Sequence, residues 1–262
     1  DTKNMLTDVT IPTSTGFAIV KDNLGLVRNS GVEAKANYTL NSLIVKKAKE
    51  KNFDLVVCNL NYVYETKTKM VSAGLDKDLE NEDEVKKNIV FLYPAVWNKL
   101  YKKEILDSLK FKEGIWYEDV EFNFRVYPRV KSIGYVDKPL IQYVQRESSI
   151  SKTIDKRLFN YIDNFNGLIR YYQDNNLYNK YYFELEYSYV RYLYATFIKQ
   201  LSYTNDKELF KEGVKEAIKN VQEHFPNYKK NIYLKKFGLK NIYLKTFNKK
   251  TASLLNFKNR RK

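Results

Sequence analysis

The sequence predicts an α/β domain followed by a helical region and a basic tail, on three observations. Residues 43–52, LIVKKAKEKN, have the apolar spacing of an amphipathic helix and run straight into FDLVVCNLNYVYE, an apolar strand ending in polar alternation. Residues 155–225 hold three helix-length segments with apolar positions at 3.6-type spacing. From Lys229 to Lys262 there are twelve Lys or Arg and no Asp or Glu. Removing those twelve from the 46 basic residues leaves 34 against 31 acidic ones, so the net charge of +15 belongs mainly to the tail and the body is nearly neutral.

Taken in order, Thr10–Pro12 and Phe17–Val20 read as short strands joined by a turn over residues 13–16. Residues 22–35, DNLGLVRNSGVEAK, carry Arg28 and Asn29 between Gly25 and Gly31. An Arg and free backbone N–H groups at a helix start suit a pyrophosphate, and a surface helix with a solvated Arg28 is the alternative. After the helix at 43–52 and its strand, residues 65–83 read as a charged loop, with a helix beginning near Asn81. Ile133–Val136 and Leu140–Val144 read as two strands separated by an Asp137-Lys138-Pro139 turn.

The central stretch is Pro94–Ser151. Gly114 supplies a turn, Trp116 and Tyr117 follow, and the adjacent carboxylates Glu118 and Asp119 precede the helical spacing of Val120, Phe124 and Tyr127. The acidic pair therefore sits where a loop enters a helix, as a cap for backbone N–H groups or as a charge facing a cleft. Trp97 is either the wall of a binding surface or a Trp packed under a sheet with Lys99 at its rim.

Length and composition bound the rest. At 262 residues the chain holds one large domain or two small ones. Its 23 Tyr and 15 Phe point to many half-buried amphipathic contacts. One His and one Cys exclude a thiolate or imidazole metal cluster, and Cys58 in the run LVVC reads as a buried strand residue in a reducing compartment. No apolar run is long enough to span a bilayer, and the first residues lack the pattern of a signal peptide, so a cytoplasmic location is expected. In the middle helix, Tyr182, Leu185, Tyr189, Leu193 and Phe197 share one face and read as helical core; His224, at the end of the third helix, carries no assigned chemistry.

Three segments in register resemble the family 2 glycosyltransferases that build bacterial surface polysaccharides. They are Trp97-Asn98-Lys99-Leu100-Tyr101-Lys102-Lys103-Glu104-Ile105-Leu106, then Glu113 to Phe122 with its Tyr-Glu-Asp, then Arg146 to Ser151. Asn23, Gly25, Arg28, Asn29, Gly31, Ala34 and Tyr38 resemble a further family segment near the nucleotide-sugar, with Val27 in place of Ala. The resemblance implies a GT-A-like, Rossmann-like mixed sheet with flanking helices over residues 1–152, then a helical region (153–228) and the basic tail (229–262). It implies transfer of a sugar from a nucleotide-sugar to a glycan or lipid-linked acceptor with inversion. Asp119 would be the general base and Glu118 its orienting neighbour. Asn23, Arg28 and Asn29 would meet the donor, and Trp97, Asn98, Lys99, Trp116, Arg146 and Ser149 the acceptor. The family uses Mg²⁺ or Mn²⁺, held by an Asp-X-Asp strand. Here AKANY passes directly to TLNSLIVKKAKEKNFD, so that strand is missing, as is the opening nucleotide-binding strand, and no metal ligand is assigned. Either those segments are absent from the sequence, or the chain is a degenerate homologue that binds acceptor glycan or a partner transferase without catalysis.

The tail repeats KNIYLKKFGL as KNIYLKTFNK, and Tyr233, Phe237, Leu244 and Phe247 could share a helix face, which Gly238 weakens. Lysines interleaved with aromatic residues suit an anionic membrane surface, and nucleic-acid phosphate is the competitor. Nothing in the body resembles a nucleic-acid-binding fold. The tail is therefore expected to be a free basic arm, attaching the protein peripherally to the inner face of the cell membrane.

Overall fold

The computed structural model describes residues 17–18, 43–145 and 153–259. The candidate donor residues Asn23, Arg28 and Asn29, and Arg146 and Ser149 of the acceptor set, lie outside the described residues, as do the expected strand at 10–12 and its turn. The chain is an α/β protein that divides into two compact units, Asp1–Phe111 with Phe122–Arg146, and Lys112–Glu121 with Glu147–Lys262.

The first unit is organised on a mixed sheet. Its strands are β1 (Phe17–Ala18), β2 (Leu55–Val63), β3 (Thr68–Val71), β4 (Lys99–Lys102) and β5 (Ile133–Val144). β2 pairs with β5 in parallel along its whole length. It also pairs antiparallel with β4 through residues 55–57 and with β3 through residues 60–63. β1 extends the sheet beyond β4. The first six residues of β2 are all buried rather than alternating, the mark of a strand covered on both faces. Helix α1 (residues 43–50) contributes Ile44 and Ala48 to a core with Phe53, Val56, Cys58 and Leu100. Gly134 of β5 has no side chain because the Phe53 ring fills the space; a Cβ there would stand 2.6 Å from the ring. Helix α2 (Glu82–Asn88) begins where expected, with the Asn81 side chain accepting a hydrogen bond from the Glu84 N–H at 3.0 Å.

Two strand expectations are corrected. The charged segment 65–83 contains β3, which turns back on β2 through a Tyr64 N–H to Lys67 carbonyl bond of 2.8 Å. Its residues are exposed, so charged side chains point to solvent while the backbone pairs. The expected turn at Asp137–Pro139 is a register shift inside one continuous strand. Buried Asn59 holds the irregularity. Its amide donates to the Tyr135 hydroxyl (2.8 Å) and the Asp137 carboxylate (3.0 Å), and its oxygen accepts from the Ala73 N–H at 2.8 Å.

The second unit is helical. α4 (Asn160–Asp174) is followed by α5 (Tyr182–Val190), which continues through a π-helical stretch (Arg191–Phe197) into α6 (Ile198–Leu201). α7 (Lys207–His224) is capped by Asp206, whose carboxylate accepts from the N–H groups of Glu208 and Leu209. Leu185, Tyr189, Leu193 and Phe197 are buried, but Tyr182, expected on the same face, is half-buried, and residues 184–190 are buried on every side rather than on one.

The basic segment is not a free arm. Residues Ile232–Lys235 form a 3₁₀ turn, followed by α8 (Leu239–Thr246) and α9 (Lys249–Asn259). Tyr233, Leu234, Leu244, Phe247 and Ala252 are buried, and the Phe247 ring stacks on Tyr194 with centroids 4.0 Å apart. The charge count was misleading because Lys229, Lys230, Lys235, Lys236, Lys249 and Lys250 are exposed while α5 supplies acceptors inward. Buried Glu184 accepts from the Tyr233 hydroxyl at 2.5 Å, and buried Glu186 from the Asn231 amide at 2.7 Å and the Tyr182 hydroxyl at 3.2 Å. The Asn256 amide donates to the Ser202 carbonyl at 2.7 Å and ties α9 to the end of α6. Gly238 breaks the expected single helix, and Phe237 is exposed rather than on the buried face.

Two outcomes follow from this packing. Deleting residues 229–262 removes side chains whose burial contributes about 1.5–3 kcal/mol each, so the truncated protein should melt earlier and less cooperatively; an unchanged thermal transition by circular dichroism would contradict the packing. Burial pushes the Glu186 carboxyl above its ordinary range, against the opposing hydrogen bonds from Asn231 and Tyr182. A folded-state value above the unfolded one means that the unfolded chain releases the proton first. Stability should therefore be greatest where Glu186 is protonated, and should fall as pH rises from the ordinary carboxylate value through the raised one. Glu186→Gln should flatten that fall, measured as urea midpoints from mildly acidic to neutral pH.

Candidate functional site

The acidic pair opens helix α3 (Glu118–Val126), as its sequence position predicts. Glu118, Asp119 and Glu121 place three acids in its first turn, which suits the positive end of a helix. Glu118 and Asp119 are half-buried, and the Asp119 carboxylate accepts from the Val120 N–H at 2.7 Å. Glu121 is fully buried and paired with Lys112 at 3.0 Å.

The approach to the pair is tightly held. Gly114 takes a positive φ of 73°, which glycine adopts without strain. Tyr117 takes φ 64°, a conformation costing about 1–2 kcal/mol for a residue with a side chain. Two interactions offset that cost. Its ring stacks on Tyr161 with centroids 3.7 Å apart and planes 15° from parallel, and its hydroxyl donates to the Gln200 side-chain oxygen Oε1 at 3.0 Å. The Trp116 N–H donates to the Asn160 side chain at 3.0 Å, and the Asn164 amide donates to the Trp116 carbonyl at 2.9 Å. The Arg157 guanidinium, paired with Asp155, lies 4.1 Å from the Trp116 ring centroid. Trp116, one of the candidate acceptor residues, is thus half-buried with a cation over its ring.

Burial pushes the phenols of Tyr117, Tyr161 and Tyr192 above their ordinary range, and the charge of Asp119 adds to the shift in all three. The sequence singled out none of the groups that hold this loop. Asn160 and Asn164 lie 44 and 48 residues beyond Trp116, and asparagine carries no signal of such a long-range role.

The remaining described candidates belong to the first unit. Asn98 is buried and donates to the Cys58 carbonyl at 2.9 Å, extending the β2–β4 pairing. Lys99 is buried rather than at a rim. Its ammonium donates to the Tyr93 and Ala95 carbonyls and to the Asn98 side chain at 3.0 Å. These bonds fold residues 93–98 into the bend that presents Trp97. Trp97 itself is half-buried, 5.7 Å from Tyr93 and 5.2 Å from Tyr143 between ring centroids. Tyr62 completes the group, 5.4 Å from Tyr143 and hydrogen-bonded to the Tyr93 hydroxyl at 2.8 Å. Tyr62 and Tyr143 are register partners near the carboxyl ends of the parallel strands β2 and β5, the end of an α/β sheet where ligands bind. Half-exposed rings with hydroxyl edges suit the apolar faces and polar rims of sugars. Tyr62 and Tyr143 went unrecognised in the sequence because strand pairing brings them together, and Tyr93 because the bend held by Lys99 is what turns it to Trp97.

Among the described residues no three His, Cys, Asp or Glu side chains converge as a metal site. The Mg²⁺ or Mn²⁺ implied by the resemblance therefore finds no fitting ligand set among them. No protein-family model matches the chain, and no curated protein matches it.

The loop ahead of α3 provides a direct test. Asn164→Ala leaves the Trp116 carbonyl without its amide partner and should destabilise the protein by about 1–3 kcal/mol. It should also speed amide exchange across residues 115–119. Unchanged exchange there would mean that Asn164 does not hold the loop.

Proposed function

We propose that the chain is a GT-A-type, family 2-like glycosyltransferase that moves a sugar from a nucleotide-sugar to a glycan or lipid-linked acceptor, with Asp119 as general base. The observation that carries this reading is the half-exposed Asp119 carboxylate at the start of α3, in a loop whose Trp116 and Tyr117 are pinned on both backbone and ring. A sugar hydroxyl is a poor nucleophile until a positioned carboxylate takes its proton. In the reaction proposed, the acceptor oxygen bonds to the anomeric carbon from the face opposite the leaving group. The bond to the nucleoside diphosphate breaks with its electron pair, and the acceptor proton passes to Asp119. Inversion follows from that single displacement. Glu118, adjacent in the same first turn, orients the acceptor. Trp97 with Tyr62, Tyr93 and Tyr143 provides a stacking surface for glycan.

A second reading, glycan binding without transfer, is favoured by that aromatic group, which needs no donor to act. The two readings separate by experiment. Nucleoside diphosphate release from a panel of nucleotide-sugars, with glycan acceptors present, should fall about 10²-fold or more in Asp119→Asn while glycan binding persists. Wild-type turnover in that variant removes Asp119 as the base. Trp97→Ala should weaken glycan retention on immobilised polysaccharide about tenfold, and unchanged retention removes the stacking surface.

A further inference from the structure

The two most exposed large apolar side chains among the described residues are neighbours in the basic segment. Phe237 is 93% exposed and Leu239 85%, on either side of Gly238. Ile242, 43% exposed, follows one turn later on the side of α8 that Leu239 occupies. The opposite side of α8 is already used, because Leu244 is buried in the helical unit. The outward apolar edge is held firmly. The Asn241 amide donates to the Tyr233 and Lys236 carbonyls, each at 2.9 Å, and the Ile242 N–H donates to the Gly238 carbonyl at 3.0 Å. The knuckle that carries Phe237 is therefore braced by a side chain from the helix that follows it.

Charge decides what fits this edge. Lys235, Lys236 and Lys240 are exposed around it, and residues 229–262 contain no acid. Lys240 has an exposed side chain, yet desolvation, and after it the guanidinium of Arg191, push its ammonium below the ordinary lysine range. A bound phosphate would pair with these exposed ammonium groups. A second copy of the chain would instead set lysine against lysine. Scattered exposed apolar residues need no explanation, but a braced aromatic and two aliphatic side chains ringed by lysines match one surface chemistry. It is the headgroup boundary of an anionic bilayer, where acyl chains and phosphates lie within a side chain's length of each other.

We propose that the Lys235–Ile242 knuckle is a membrane-docking surface, inserting Phe237 and Leu239 at the headgroup boundary while Lys235, Lys236 and Lys240 pair with lipid phosphates. This surface acts from the folded helical unit, and it holds whether or not the chain transfers sugar.

The test uses the full chain and vesicles of phosphatidylcholine with or without phosphatidylglycerol. The protein should sediment with the mixed vesicles, less so at high salt, and leave pure phosphatidylcholine in solution. The double variant Phe237→Ser with Leu239→Ser keeps every charge and exposes no core. Its melting transition should be unchanged and its partitioning reduced about tenfold or more. Replacing Lys235, Lys236 and Lys240 by Gln should abolish the preference for phosphatidylglycerol. In Phe237→Trp, acyl chains brominated near the headgroup should quench the new indole. Wild-type partitioning by the serine double variant overturns the proposal, since the edge would then be idle. Tight binding of duplex DNA or single-stranded RNA at physiological salt without vesicle binding overturns it in favour of nucleic acid. Dimerisation lost in the serine variant, again without vesicle binding, would make the edge a contact between copies.

Discussion

Strand β2 must have both edges paired and both faces covered, and the sheet unit is the solution to that demand. One edge is taken by β5 along its full length; the other is shared, β4 covering the first residues and β3 the last. The shared edge explains why Asn98 is buried with its amide on the Cys58 carbonyl, and why Asn59 sits inside a strand. Each supplies hydrogen bonds where regular pairing lapses. The same demand places Tyr62 opposite Tyr143, and Lys99, closing the bend before β4, adds Trp97 to them. The aromatic surface is thus a by-product of how the central strand is satisfied.

The helical unit solves a different problem, the retention of a segment carrying only positive charge. Its answer is to separate the two aspects of residues 229–259. Tyrosine, leucine and asparagine side chains turn inward to buried acceptors on α5 and α6, while lysines stay in water. Two buried carboxylates on one helix are an expensive device unless hydrogen-bonded. Both meet donors from the basic segment, so the polar interior of α5 and the tail specify each other.

Much of this architecture was legible in the sequence where periodicity and capping agree. The strand at 55–63, the helix start at Asn81 and the three helices between 155 and 225 all combine a clear apolar period with Asn, Asp or Gly punctuation. The position of Glu118 and Asp119 at a helix start was equally readable. What could not be read depends on partners distant in sequence. β3 has a polar, exposed face because an edge strand needs only backbone pairing, so its composition resembles a loop. The Asp137–Pro139 irregularity looks like a turn until Asn59 is known to hold it. In the tail, net charge hid the buried set, because burial there follows individual side chains rather than regional composition. At the acidic pair, the residues were visible and their supports were not; Asn160, Asn164 and Gln200 have no local pattern that announces a hydrogen bond to a loop far upstream.

The division of the chain places Lys112–Glu121 with the helical unit although sheet-unit sequence lies on both sides of it, and the boundary falls inside α3. No single cut can then separate the two units. A fragment ending before residue 112 lacks β5, and one beginning after Val144 lacks the loop with Trp116, Asp119 and Glu121. A cut after Arg146 keeps the whole sheet unit and removes all of the helical unit except Lys112–Glu121, whereas the helical unit is kept whole only together with residues 122–146 of the sheet unit. Trp116, Glu118 and Asp119 lie on the interlaced stretch itself. Any fragment that holds the helical unit whole carries the acidic pair with it.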